Sequence, residues 1–399
     1  MSAPVPTNAP PNLPLTETPP DVPTEATERL ETLYQTLIQS NPLSIGYPCN
    51  QAFDYSPLYR FLGLSLNNVG DPFSGSNYRL NTHEIEREVL AEFARLTGFR
   101  EGEIHGPERA YWGYVTNGGT EGNMYGLYLA RELFPGGIVY FSEDTHYSVA
   151  KILRLQHSRN IMIRSQPDGE MDYDDLEESL RIHRDSPPIL FINAGTTMTG
   201  AIDRVDRILE ITRRLCLPHR YLHVDAALSG MILPFVENPP PWNFAAGIDS
   251  LSISGHKMIG SPMPCGVALA RKAHVDRVAR SVEYIGALDT TISGSRNGIA
   301  PLFLWYALRC QGMSSLRERV ALCLECAQYA VEALQAIGVE AWRHCHSITV
   351  VFPRPPRSIM EKWILAPYED ICHLITVPHI SHATIDEFVA DMKSALPLP

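Results

Sequence analysis

Length, composition and charge limit the kinds of protein this chain can be. It has 399 residues, with 45 acidic and 33 basic side chains and a formal net charge of −12. That length is sufficient for one large and one smaller domain, each with its own core. The acidic balance and the absence of a basic cluster argue against nucleic-acid binding. No long uncharged apolar run could span a bilayer, so we expect no membrane association.

The chain begins with a proline-rich segment. Residues 1–25 contain eight prolines and are expected to be disordered. Residues 1–6 have neither the basic nor the apolar segment of a secretory signal. We therefore expect a cytoplasmic protein whose eight cysteines are reduced thiols.

Alternating strand and helix patterns then fill most of the sequence. A helix is predicted over 25–39, and a loop-rich arm over 47–78. From 80 to about 300, seven strands alternate with helical patterns, which predicts a mostly parallel sheet covered on both faces. The predicted strands are 113–116, 137–141, 161–165, 189–193, 221–225, 250–254 and 267–271. A helix over 316–337 and strands over 347–352 and 373–377 predict a smaller α+β unit. We expect four regions: a tail (1–25), a helix and arm (26–79), a large domain (80–304) and a small C-terminal domain (305–399).

A glycine-rich turn follows the first of these strands. Gly118, Gly119 and Thr120 lead into an amphipathic helix predicted from Met124 to Leu133. Glycines allow close backbone approach, and a helix start offers free N–H groups to an anion such as phosphate. The segment lacks the spacing of a nucleotide-binding motif. A plain strand-to-helix turn is the alternative.

Two further strands end in residues that suit a cofactor site. His146 follows the second strand, where a flat imidazole could stack on a ring; a surface histidine is the alternative. Asp225 ends a buried strand and needs a positive partner, such as a protonated pyridine nitrogen, or else caps the next helix. Ala227 is small enough to let a ring lie against the strand.

Lys257 is the most informative residue. Only five lysines occur in the chain, and this one follows an apolar strand among glycine, serine and methionine. Burial lowers the pKa of a lysine and makes its amine nucleophilic. Imine formation with pyridoxal phosphate needs such an amine, whereas a snorkelling lysine is the alternative. Lys257 and Asp225 together favour the cofactor.

These motifs together resemble the group II pyridoxal-phosphate amino-acid decarboxylases. The resemblance is closest to the branch with bacterial histidine decarboxylases and plant serine decarboxylases, and runs from about Pro42 to the C-terminal region. The matching segments are 46–48, 67–73, 118–123, 144–148, 195–197, 223–227, 254–257, 260–266 and 291–298. The resemblance implies an α/β fold of the fold-type I, aspartate-aminotransferase-like class, with pyridoxal 5'-phosphate as cofactor and an amino acid as substrate.

The resemblance also implies roles for individual residues. Lys257 carries the cofactor, Asp225 pairs with its ring nitrogen, Ala227 contacts the ring, and His146 stacks on it and lines the substrate side. The residues implied to lie around the phosphate are Gly119, Thr120, Thr197, Ser254 and His256. No metal ligand is implied. The pair Cys323 and Cys326 lies in a helical pattern, which favours helix packing over metal or redox chemistry.

A homodimer, or a larger homo-oligomer, with shared active sites is also implied. Ser295 is then expected to reach the phosphate of the neighbouring subunit. Tyr284 is a candidate donor of the proton to the substrate α-carbon, and a tyrosine packed at a helix end is the alternative. The sequence departs from the family pattern at Ile299, where relatives commonly have histidine.

Decarboxylation of L-histidine is the first expectation for the reaction. Features near 71–73 and 282–284 favour the serine branch, so decarboxylation of L-serine or aspartate is the second. A transaminase or lyase on the same scaffold would clamp the substrate carboxylate with an arginine, for which Arg343 is the candidate. A non-catalytic cofactor-binding protein is the remaining alternative.

Overall fold

The central feature of the fold is a seven-stranded sheet between two layers of helices. A computed structural model describes residues 24–106, 108–282 and 287–395. Residues 1–23 of the predicted tail lie outside this part. The helices are α1 (Thr24–Ser40), α2 (His83–Leu96), α3 (Gly119–Leu133), α4 (Ser148–Leu155), α5 (Tyr173–Ile182), α6 (Val205–Arg214), α7 (Lys272–Val278), α8 (Ala300–Ala336), α9 (Arg357–Lys362) and α10 (His382–Ala395). The strands are β1 (Tyr111–Thr116), β2 (Ile138–Ser142), β3 (Asn160–Ile163), β4 (Pro188–Asn193), β5 (Tyr221–Asp225), β6 (Ser250–Ser254), β7 (Gly266–Arg271), β8 (Arg280–Val282), β9 (Ala287–Asp289), β10 (Thr349–Pro353), β11 (Ala366–Tyr368) and β12 (Ile371–Ile375).

The large sheet is mostly parallel, as predicted. Its strand order is β1-β7-β6-β5-β4-β2-β3. Strands β2 to β6 are parallel to one another, whereas β7 runs antiparallel to both β1 and β6. All seven predicted strands occur, with ends within two residues of the prediction.

Both faces of the sheet are buried, which explains the continuous apolar runs of its strands. Because side chains alternate along a strand, Leu190 and Ile192 of β4 enter one core with α2, α5, α6 and α8. Ile189 and Phe191 enter a second core on the other face, with α3, α4 and α7. Burial of each such side chain contributes about 2 kcal/mol to stability.

Helix α3 packs unusually close to the sheet because its inner face carries glycine. A Cβ atom on Gly122 would lie 2.2 Å from Ser252 Oγ, and one on Gly126 would lie 2.1 Å from His223 Nδ1. The helix begins at Gly119, five residues before the predicted start at Met124. Packing against β5 and β6 therefore overrides the weak helix propensity of glycine.

A three-stranded antiparallel sheet, ordered β10-β12-β11, forms the smaller unit with α8 and α10. Helix α8 begins at Ala300, well before the predicted start at 316, and is interrupted at Gly312, where φ is 66°. Its first turns are apolar on every side and so lack a helical period. The proposed domain boundary at 304/305 falls inside this helix.

Cys323 and Cys326 pack within α8, both 4% exposed. Burial raises the pKa of these thiols to about 12 and about 11. Their role in helix packing agrees with the prediction.

No helix of the described ranges is both long and apolar enough to cross a membrane.

Candidate active site

The predicted site residues meet at one edge of the large sheet. Strands β1, β2, β4, β5 and β6 run in the same direction, so their carboxyl ends lie side by side. The segments that follow these ends carry Gly119, His146, Thr197, Asp225 and Lys257. Ligands of open α/β sheets bind at this edge.

A cavity of about 500 Å³ lies there. Nine of the ten predicted cofactor residues line it: Gly119, Thr120, His146, Thr197, Asp225, Ala227, Ser254, His256 and Lys257. Ser295 does not; its exposed hydroxyl accepts a hydrogen bond from Asn67 Nδ2 at 3.1 Å. Tyr284 lies outside the described residues.

Lys257 presents its amine from the loop after β6. Burial lowers the pKa of this amine, while the Asp225 carboxylate and the Cys49 thiol act in the opposite direction. No carboxylate of the described residues lies within ion-pair distance of Nζ. The Lys257 carbonyl accepts a hydrogen bond from Asn50 N at 3.1 Å, which ties the loop to the N-terminal arm. The arm thus fixes the backbone that carries this amine.

Asp225 occupies the floor of the cavity, and its hydrogen-bond donors among the described residues are neutral. Asn123 Nδ2 donates to Oδ2 at 2.7 Å, and Ala227 N donates to Oδ1 at 3.0 Å. The residue is 8% exposed. A buried carboxylate without a bonded cation is costly, so the site is suited to a ligand that brings a positive N–H group.

His146 is fixed as a neutral imidazole. Its Nδ1 accepts a hydrogen bond from Ser148 N at 3.3 Å and lies 2.8 Å from Ser148 Oγ. Burial lowers its pKa, opposed by Asp225 and reinforced by Lys257 and Lys151. An uncharged flat ring is suited to stacking on an aromatic ligand.

One end of the cavity can hold an anion. Gly118 has φ 135° and begins the turn into α3, and a Cβ on Gly119 would lie 2.8 Å from Ser254 Oγ. His256 is anchored by Nδ1, 3.0 Å from the Cys265 carbonyl oxygen. The helix start, the hydroxyl groups and the imidazole form a cradle that a phosphate would fill.

This donor set fits pyridoxal phosphate. The amine of Lys257 matches the aldehyde of the cofactor, the Asp225 carboxylate matches its protonated ring nitrogen, and the glycine cradle around Gly119 matches its phosphate. The fit depends on two features of the cavity: the Asp225 carboxylate at its floor and the glycine turn at Gly118 and Gly119 at one end.

Two buried hydrogen-bond networks were not predicted. Asn123 Oδ1 lies 3.0 Å from His223 Nε2, and His223 Nδ1 lies 2.7 Å from Ser250 Oγ. On the next strand, Asn193 donates through both its N–H and its amide to Asp203 Oδ2. The period of two along β5 places His223 on the same face as Asp225, which is the signal that could have indicated it.

The far wall of the cavity comes from the arm and the small sheet. It includes Tyr47, Ser347, Thr349 and His373, which sequence reasoning did not assign. His373 Nδ1 lies 3.0 Å from the Met198 carbonyl oxygen, and His373 Nε2 lies 3.1 Å from the Gly46 carbonyl oxygen. It joins the small sheet to the arm and to the loop after β4.

Arg343 does not line the cavity. Its Nη1 donates to the carbonyl oxygens of His344, Cys345 and Ser347 at 3.0 to 3.1 Å. The guanidinium holds this loop together and is not placed to clamp a substrate carboxylate. Ile299 precedes α8 and packs against the main core.

Known proteins show the same fold and similar sequences. Histidine decarboxylase of Pseudomonas entomophila (strain L48) is 50% identical over 370 residues, 91% of this chain and 90% of that protein. Histidine decarboxylase of Klebsiella aerogenes is 47% identical over 92% of this chain and 96% of that protein. A crystal structure of L-methionine decarboxylase from Streptomyces sp. 590 matches with a TM-score of 0.84 and 26% identity, covering 94% of this chain and 97% of that one.

The family profile described as the pyridoxal-dependent decarboxylase conserved domain matches residues 131–343. This segment contains His146, Asp225 and Lys257, and the profile covers more than half of the chain. The predicted family and fold class are thereby confirmed. The chain belongs to the pyridoxal-dependent decarboxylase family.

Proposed function

We propose that this chain decarboxylates L-histidine to histamine and CO2. As a member of its family it is a pyridoxal-phosphate-dependent carboxy-lyase; the substrate and the residue roles are the proposed part. The observation that carries the proposal is the convergence of Lys257, Asp225 and His146 on one cavity.

The bound cofactor supplies an electron-accepting ring that stabilises the negative charge left on the α-carbon when CO2 departs. Lys257 holds the cofactor through its amine, which burial keeps available at lower pH. Asp225 holds a proton on the ring nitrogen. His146, uncharged, packs against the ring and bounds the substrate side. Gly119, with Thr120, Thr197, Ser254 and His256 around it, holds the phosphate.

The cavity favours loss of the carboxylate over its retention. Among the described residues that line it, none is an arginine. Arg343, the candidate clamp of a transaminase, is bonded to three backbone carbonyl oxygens instead. A carboxylate that is not paired with a cation in a low-dielectric site is destabilised relative to neutral CO2.

Histidine as substrate is supported by the relatives at 46–50% identity, which are named histidine decarboxylases. The cavity wall formed by the small sheet offers hydroxyl groups. Ser347 Oγ accepts the Thr349 amide hydrogen at 3.0 Å, so its own hydrogen can be donated to an imidazole nitrogen.

The test is an assay of CO2 release by purified chain supplied with pyridoxal phosphate, against each L-amino acid separately. We expect CO2 release from histidine. In Lys257→Ala we expect loss of this release and loss of the absorbance band of the imine between the lysine amine and the cofactor. Lys272→Ala is the matched control, because this lysine pairs with Asp276 on α7.

We also propose Tyr284 as donor of the α-carbon proton. In Tyr284→Phe, kcat should fall about 100-fold with the cofactor still bound.

Each other result contradicts a specific part of the proposal. CO2 from serine, aspartate or methionine in place of histidine would refute the substrate. Transfer of the amino group without CO2 would refute decarboxylation. Unchanged cofactor absorbance in Lys257→Ala would refute the assignment of that lysine.

We further propose that the protein is a homodimer in which the partner covers α1, and that Ser295 reaches the phosphate site of the neighbouring subunit. No residue of α1 is buried. Leu30, Leu33, Tyr34, Leu37 and Ile38 form one stripe along it and are 50–63% exposed. An apolar stripe at this spacing is suited to burial against another protein surface, and a second copy of the chain is the proposed occupant.

A cytoplasmic location is proposed as well. All eight cysteines lie in the described part of the chain, and each is a free thiol. Free thiols are typical of a reducing compartment.

A further inference from the structure

A buried chain of hydrogen bonds runs from Asp225 away from the cavity. It passes through Asn123 of α3 to His223 and Ser250 of β5 and β6. The four residues are 8%, 2%, 0% and 1% exposed, in that order. Of these, Asp225 and Asn123 line the cavity, and the other two do not.

The direction of every hydrogen bond in this chain follows from Asp225. Its carboxylate can only accept, so Asn123 must present its amide nitrogen to Oδ2 and turn its carbonyl oxygen toward His223. That oxygen also only accepts, so His223 must carry its hydrogen on Nε2. His223 Nδ1 is then the acceptor for the Ser250 hydroxyl.

Burial keeps His223 neutral, since it lowers the pKa of the imidazole to about 3. A neutral imidazole can hold only one hydrogen, and a hydroxyl hydrogen donated by Ser250 to Nδ1 favours the tautomer that carries it on Nε2. The tautomer in turn determines the orientation of the Asn123 amide. Without the Nε2–H donor, the buried Asn123 oxygen would lose its partner, and the Asp225 carboxylate alone would hold the amide in place.

Glycine in α3 makes room for this arrangement. A Cβ on Gly126 would lie 2.1 Å from His223 Nδ1. The site therefore includes a space for the histidine ring between the helix and the sheet, in addition to the hydrogen bonds.

We propose that His223 and Ser250 are positioning residues for the cofactor: they fix the Asn123 amide, which holds the Asp225 carboxylate in place facing the ring nitrogen. They act through Asn123 and touch neither cofactor nor substrate. The inference depends on cofactor binding, a property of the family, and not on which amino acid is decarboxylated.

The test measures cofactor binding without any amino acid. Purified apo-protein is titrated with pyridoxal phosphate labelled with ¹⁵N at the ring nitrogen, and both the dissociation constant and the ¹⁵N chemical shift are read. For His223→Leu we expect about tenfold weaker binding, the equivalent of ~1.4 kcal/mol, and a shift toward the unprotonated ring nitrogen. His223→Gln, whose amide can donate to Asn123 Oδ1, should recover most of both. Ser250→Ala should give a change of about threefold in the same direction, because loss of one neutral hydrogen bond costs roughly this much.

His83→Leu is the matched control. His83 is also buried and neutral, with its pKa lowered to about 4 by burial, but it lies on α2 away from the cavity. The His83→Leu variant should have the wild-type dissociation constant and the wild-type ¹⁵N shift.

The proposal would be overturned if His223→Leu and Ser250→Ala lowered the melting temperature of the apo-protein but left the ¹⁵N shift at its wild-type value. It would also be overturned if His223→Gln failed to recover binding while it folded normally. Should His223→Leu not fold, Ser250→Ala and His223→Gln decide the question. A different amino-acid substrate would refute the proposed function and leave this inference intact.

Discussion

At the scale of single residues, the proposed chemistry depends on the environment of one amine. Lys257 is chemically the same as the other lysines of the chain, and what differs is its surroundings. Burial disfavours its ammonium form, and the nearby Asp225 carboxylate partly offsets that effect. The balance produces a reactive amine that still retains an electrostatic partner.

The sign of this balance predicts the pH dependence of Lys257. Because burial lowers the pKa of the amine below its ordinary value of 10.5, it should be acylated in apo-protein at lower pH than exposed Lys393. Asp225→Asn removes the carboxylate that raises the pKa of Lys257, so this pKa should fall further. Competitive acylation read per peptide by mass spectrometry measures both. Co-titration of Lys257 and Lys393 in wild-type protein would contradict the prediction.

At the scale of elements, a buried ion pair connects the segments behind the cavity. Arg296 and Glu86 pair at 1% and 0% side-chain exposure. Glu86 also accepts from Val115 N at 2.8 Å and Asn68 Nδ2 at 2.7 Å, while Arg296 Nη2 donates to the Gly70 carbonyl oxygen at 3.0 Å. Helix α2, strand β1, the arm and the segment before α8 are thus held at one point.

Breaking this pair on one side should be severely destabilising. Glu86→Gln leaves a buried guanidinium without its counter-charge, so the free energy of unfolding should fall by about 3–5 kcal/mol. Urea denaturation measures the loss. Glu103→Gln, which removes the counter-charge of the exposed Arg100, is the control and should destabilise the protein far less, because solvent screens a surface pair. Equal effects of the two substitutions would contradict the role of the buried pair.

At the scale of the whole molecule, the sheet could be predicted and the cavity only in part. The strands were predictable because burial on both faces produces apolar runs, and Lys257 and Asp225 because each ends such a run. The bond between His223 and Asn123 joins positions 100 residues apart, and no local pattern indicates it. The wall with His373 depends on how the small sheet docks, which local periodicity does not encode.

The proposed dimer also belongs to the scale of the whole molecule. The apolar stripe of α1 predicts a particle of twice the 44.5 kDa chain mass. The double substitution Leu33→Asp and Leu37→Asp should produce monomers, because an unpaired charge in an apolar interface costs several kcal/mol. Light scattering after size exclusion measures the mass.

Its control places the same two charges on the opposite face of α1, as Thr32→Asp and Gln35→Asp. That variant should remain a dimer. A monomeric wild-type protein, or a dimeric Leu33→Asp, Leu37→Asp variant, would show that the stripe has another partner.

The close approach of α3 to β5 has a consequence for how this sequence can diverge. Any side chain at position 126 would take the space of the His223 ring, and a smaller residue at 223 would leave a void beside the helix. A change at either position alone should therefore lower the stability of the protein. Substitutions at positions 126 and 223 should therefore occur together in related sequences. A relative that lacks the histidine at 223 should have a larger residue at 126.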